Sequence, residues 1–128
     1  MSKTVEDIQV MVPVPITGQM VDDLLITAFE GGSNYWIDNI RLFNQDNEQV
    51  RGHGDNPTQS LSSIVVVQQE TLEEVTLFMP PSTCIERGLK FMAEKYARHF
   101  ANLMIDDIDA ETADVFLQCC LFQEIVYG

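Results

Sequence analysis

Apolar residues alternate with others at the start of the chain. Ile8, Val10, Val12 and Val14 fall on one side of an extended segment over residues 5–14. A period of two predicts a half-buried strand, and Pro13 and Pro15, which cannot donate to a ladder, place it at a sheet edge or a strand end. The period then changes. Met20, Val21, Leu24, Leu25, Ala28 and Phe29 recur at helical spacing, which lays an apolar stripe along one face of a helix. Thr17 stands where its hydroxyl can cap that helix. Asp22 and Asp23 are expected to face water near the N-terminus, where the helix dipole favours carboxylates. Gly31-Gly32 ends the helix, because glycine accepts the left-handed conformation that follows many helices.

Residues 36–43 read as a strand after a turn. Residues 44–60 are polar and contain Gly52, Gly54 and Pro57, which predicts a mobile loop. Ile64-Val65-Val66-Val67 and Val75-Thr76-Leu77-Phe78-Met79 are strand-like runs joined by the polar residues 70–74, the pattern of a hairpin. Pro80-Pro81 breaks the chain, and Ser82 or Thr83 can cap the next helix. Ile85, Leu89, Met92 and Tyr96 share one face of it, and Phe100 and Met104 extend the pattern through a kink. Asp109 caps a last helix with a stripe of Val115, Phe116, Cys119 and Cys120. Ile125-Val126-Tyr127 closes the chain as a strand or an extended tail. This order predicts an α+β fold, a small antiparallel sheet of three to four strands with about three helices packed on one face. The 128 residues, 45% of them hydrophobic, suffice for one core, so residues 1–128 are read as a single domain.

Charge narrows the partners. Twenty acidic residues against seven basic give a net −13. Phosphate binding needs a basic surface, so direct nucleic-acid binding and an anionic membrane are disfavoured, and a partner with a basic surface is favoured. A compact globule of this mass has about 6,900 Å² of surface. Spread evenly, the charge is roughly one per 500 Å², about fivefold below duplex DNA. Imitating DNA would require carboxylates gathered on one face. No apolar run approaches the roughly 20 residues of a membrane span, and the first residues lack a signal peptide's apolar stretch, so the expected location is cytoplasmic. Cys84, Cys119 and Cys120 form no C-x-x-C pair and read as reduced, small apolar residues.

Two segments are the candidate sites. In Gly31-Gly32-Ser33-Asn34-Tyr35-Trp36, glycines permit close approach, Ser and Asn offer hydrogen bonds, and two flat rings can stack on a ligand or anchor a partner. The same residues also suit a helix end followed by core aromatics. Asp106, Asp107, Asp109, Glu111 and Asp114 form the densest acidic cluster, either a docking surface for a basic partner or a capped, solvated helix start. As a calcium loop the cluster fails. Thr112 stands where glycine is required, and Gln118 where the bidentate Glu belongs.

No catalytic or metal site is expected, and no cofactor. Arg51-Gly52-His53-Gly54-Asp55 places a His near an Asp but brings no nucleophile elbow. Cys84 sits near a helix start, without an obvious base, and neither His53 nor His99 has chelating spacing to a thiol. The glycines match neither phosphate-binding nor dinucleotide-binding patterns.

Glu30-Gly31-Gly32-Ser33-Asn34-Tyr35-Trp36, the run from Asp109 through Thr112 and Asp114 to Gln118, and the ending Glu124-Ile125-Val126-Tyr127-Gly128 resemble small acidic proteins of phages, prophages and bacterial mobile elements. The resemblance covers scattered points over most of the chain and carries no catalytic residue. It implies an accessory role. The leading expectation is a non-enzymatic protein that binds and inhibits a host protein, such as a nucleic-acid-binding component of a defence system. A nucleotide-like ligand held at the aromatic corner and a structural or assembly role are the alternatives. A homodimer is compatible with each.

Overall fold

The structure, a computed structural model, describes residues 7–128. It contains one antiparallel sheet of four strands and five α-helices. Helix α1 (Gly18–Thr27) runs into a π-helical turn (Ala28–Gly32), followed by β1 (Ile37–Asn44), β2 (Gln49–Val50), α2 (Pro57–Ser60), β3 (Leu61–Gln68), β4 (Glu74–Phe78), α3 (Cys84–Lys95), α4 (Ala97–Met104) and α5 (Ala110–Phe122). The sheet order is β2-β1-β3-β4. The α+β class and the antiparallel sheet are as the sequence predicts. The helix count is higher, because α2 forms in the polar stretch and the chain breaks at Tyr96, between α3 and α4.

The register explains how the sheet builds its core. Leu42 pairs with Ile64 and with Val50, Ile64 with Leu77, and Val66 with Val75. Partners across a ladder share a face, so these aliphatic side chains form one apolar surface. Leu42, Ile64, Val66 and Leu77 are buried in the cluster that includes α1, α3 and α5. Helix α5 is central, touching α1, the π turn, α3, α4 and β4. Every residue from Thr112 to Cys120 is buried. A helix surrounded on all sides needs apolar residues all round, or polar ones with partners. Helix α3 reaches α5 closely through Gly88, where a Cβ would collide with the Cys120 backbone and sulfur.

Several expectations are corrected. Residues 7–17 form no strand, and residues 5–6 lie outside the described part. Alternation predicts a paired strand, but among the described residues no strand offers this segment a ladder, and Ile8, Val10 and Val12 are exposed. Asp22 does not face water. It is buried and accepts hydrogen bonds from the Thr58 backbone N–H (2.9 Å) and hydroxyl (2.8 Å), which ties α2 to α1. The stretch 44–60 contains β2 and α2, and its turn is held by Asn44, whose Oδ1 accepts the N–H of Asp46 and Glu48. Thr17 does cap α1, accepting from the Met20 N–H at 3.2 Å. In α4, Leu103 is the buried residue and Met104 is exposed.

Candidate functional site

The aromatic corner and the acidic cluster meet inside the protein, on one carboxylate. Trp36 is 2% exposed and Asp114 is 7% exposed. Asp114 Oδ1 accepts from the Ser33 hydroxyl (2.7 Å) and the Trp36 indole N–H (2.8 Å). Its Oδ2 accepts from the Tyr35 hydroxyl (2.5 Å) and the Gln118 amide (3.0 Å). A buried carboxylate without hydrogen bonds is costly, and four donors offset that cost. Burial, together with the hydrogen bond to Asp114 and the repulsion its charge would exert on a tyrosinate, pushes the Tyr35 hydroxyl up to about 12.

The network reaches the C-terminus. Gln118 Oε1 accepts the backbone N–H groups of Val126 and Tyr127, both at 2.9 Å. Tyr127 stacks on Trp36 and donates its hydroxyl to Gln68 Oε1 at the end of β3. The Tyr35 hydroxyl oxygen also lies 3.1 Å from the Tyr127 carbonyl oxygen. Helix, corner, sheet and tail therefore share one set of partners. Asp114 and Gln118 are four residues apart in the buried part of α5, so both turn to the same side. Two polar residues at that spacing in a buried stripe were the sequence signal for this network.

The corner divides accordingly. Ser33 and Trp36 lie inside, with their polar groups committed to Asp114. Gly31, Asn34 and Tyr35 reach the surface, Tyr35 being 52% exposed. Gly31 has φ 178°, extended backbone open to any residue, which corrects the left-handed termination expected here. Gly32 is required by space, since a Cβ there would lie 2.5 Å from the Ala110 carbonyl oxygen at the start of α5.

The acidic cluster divides as well. Asp114 belongs to the core. Asp109 caps α5, accepting from the Thr112 N–H at 2.7 Å, and that hydrogen bond first among other causes holds its carboxyl below the usual range. Asp106 and Asp107 are exposed, and Asp106 lines a small cleft of about 270 Å³ together with Asp23, Ile26 and Thr27. Glu111 is exposed, 3.6 Å from His99 Nε2.

That histidine belongs to a group not foreseen from the sequence. His99 Nδ1 lies 3.0 Å from the Thr112 hydroxyl, which also accepts from the Asn102 amide at 3.1 Å. Hydroxyl, imidazole and carboxylate in a row resemble a nucleophile and its base. Thr112 is 0% exposed, however, so no substrate reaches its oxygen, and the contacts join α4 to α5 instead. His53 does not engage Asp55. Its ring contacts the Gly54 carbonyl (2.7 Å) and Glu30 (3.5 Å). Burial pushes the Cys119 thiol up to about 12 and raises Cys120 as well, which keeps both protonated and unreactive at neutral pH. Gln118 and Thr112, the two residues at odds with a calcium loop, are both buried within α5.

A groove of about 810 Å³ lies between the N-terminal segment and α3, lined by Val14, Ile16, Val21, Pro80, Ile85 and Leu89 among others. Among the described residues no helix is long and apolar enough to cross a membrane. No protein-family model, curated protein or solved structure matches the chain. The class is therefore defined by the fold itself: an α+β protein with a four-stranded antiparallel sheet and a buried carboxylate hub.

Proposed function

We propose that this chain is a non-enzymatic interaction protein of phage or mobile-element type, which binds and inhibits a host protein through that partner's basic surface. The observation that supports this reading is the excess of carboxylates over basic side chains on the surface. Among the described residues the lysines and arginines are Arg41, Arg51, Arg87, Lys90, Lys95 and Arg98, and the last four fall on α3 and the start of α4. Arg41 is paired with Glu74 at 2.8 Å. Carboxylates are spread over much of the remaining surface: Asp23 and Asp106 line the small cleft, exposed Asp107 follows Asp106, Asp46 and Glu48 stand at the β1–β2 turn, and Glu70 and Glu73 in the β3–β4 turn. A surface with this excess of negative charge attracts a basic partner and speeds its encounter. A host protein that itself binds nucleic acid is the partner class with a matching surface.

The test is affinity capture from bacterial lysate at low ionic strength, comparing the wild-type chain with Asp23→Asn/Asp106→Asn/Asp107→Asn. Asp114 is left intact because it holds the core. A basic protein retained by the wild type and lost by the folded triple variant supports the reading. Retention of the same proteins by both chains contradicts the assignment to this patch.

A further inference from the structure

We infer that residues Ile8–Val12 form a β-strand on the free edge of β4 in a second copy of this chain. Exposed apolar residues fall in several groups, Met104 and Ile105 among them, and two of these groups concern extended backbone. One is the arm, where Ile8 is 82% and Met11 90% exposed, with Val10 and Val12 also open. The other is β4 and its turn, where Leu72 and Phe78 are exposed. Apolar surface gathered in this way marks an interaction site.

The backbone adds a complementary pair of deficits. The arm alternates as a strand does, yet has no ladder in the single chain. Among the described residues, strand β4 pairs with β3 only. The Met79 N–H bonds to Ser62 and the Glu73 carbonyl accepts from Gln68, so odd-numbered residues of this strand face β3 and even-numbered ones face outward. The Phe78 carbonyl is taken by the Cys84 thiol. The remaining outward groups of Glu74, Thr76 and Phe78 are the template an edge offers to another strand. The other edge, β2, is only two residues long. The proline-free part of the arm, Ile8 to Val12, matches the length of Glu74–Phe78.

Charge selects the occupant. A second copy carries −13 as well, so two copies can approach only where carboxylates are absent. No residue between Asp7 and Asp22 is charged, and none between Glu74 and Glu86. Apart from Glu74, which is paired with Arg41 at 2.8 Å, arm and edge are thus uncharged surfaces. They also lie together, because Val12 and Val14 line the same groove as Pro80 and Pro81, which follow β4. An arm rooted beside the edge it would join allows reciprocal exchange about a twofold axis.

The experiment combines sedimentation equilibrium with hydrogen exchange on the full chain over a concentration series. The expected result is a dimer that strengthens with salt, which screens the like charges, and Thr76 amide protection that rises with concentration. Val10→Pro in the arm and Phe78→Lys on the edge should each weaken self-association at least about tenfold without lowering the melting temperature. A chain that stays monomeric overturns the inference. So does a dimer that survives both variants, or Thr76 protection independent of concentration, which would place the arm on its own β4. The basic-partner reading predicts weakening by salt, so the two can fail separately.

Discussion

Trp36 and Tyr127 stack with ring centroids 5.0 Å apart and only 7° between their planes. One ring stands at the entrance to the sheet and the other one residue from the C-terminus, so the stack holds the tail against the core. Phe122, 5.7 Å from Trp36 and 6.2 Å from Tyr127, fills the third side. Trp36→Ala is expected to destabilise the fold by about 3–5 kcal/mol, the usual cost of truncating a buried aromatic. Tyr127→Phe keeps the stack and loses only the bond to Gln68, about 1 kcal/mol. Chemical denaturation of both variants checks the order of the two effects.

Asp114 is expected to be as sensitive as any core residue despite its charge. Asp114→Ala leaves the donors of Ser33 and Trp36 buried without an acceptor, at about 1–3 kcal/mol each. A double-mutant cycle with Trp36→Phe should recover part of that loss, because the indole donor is then gone. Additive effects would show that the two groups do not interact as described.

Tyr35 ties alkaline stability to this network. Its folded-state pKa, about 12, lies above the ordinary 10.0. A raised pKa means that folding favours the protonated hydroxyl. Its contribution is therefore complete below pH 10 and is lost as the pH rises toward 12. Urea midpoints measured across that window should fall for the wild type and be flatter for Tyr35→Phe. Parallel curves would remove Tyr35 from the account.

The two adjacent glycines should differ. Gly32→Ala sets a methyl against the Ala110 backbone, and overpacking of this kind costs about 1–3 kcal/mol. Gly31→Ala meets nothing within 4 Å and has extended backbone, so its melting temperature should match the wild type. Equal effects at both positions would contradict the close approach of α5.

Much of the fold was legible because its signals are local. The stripe of α1, the Thr17 and Asp109 caps, and the β3–β4 hairpin follow from periodicity and turn chemistry within a few residues. What was missed depends on partners distant in sequence. Asp22 reads as a solvated carboxylate until Thr58 is placed beside it. Asp114 reads as one acid among five until Ser33, Tyr35 and Trp36 arrive from about 80 residues away. The arm failed for the opposite reason: its period of two is real, but a strand needs a neighbour as well as a pattern. The quoted segments of the candidate site are the ones the buried network joins, and sequence alone could not separate their inward from their outward groups.

Charge on the acidic surface is proposed to drive binding to a basic host protein. The most direct test of this proposal is the affinity of the captured partner measured over a salt series. Affinity is expected to fall steeply as salt rises, mainly through slower association. A shallower slope is expected for the Asp23→Asn/Asp106→Asn/Asp107→Asn chain. An affinity independent of salt, with the same value for both chains, would contradict the proposal.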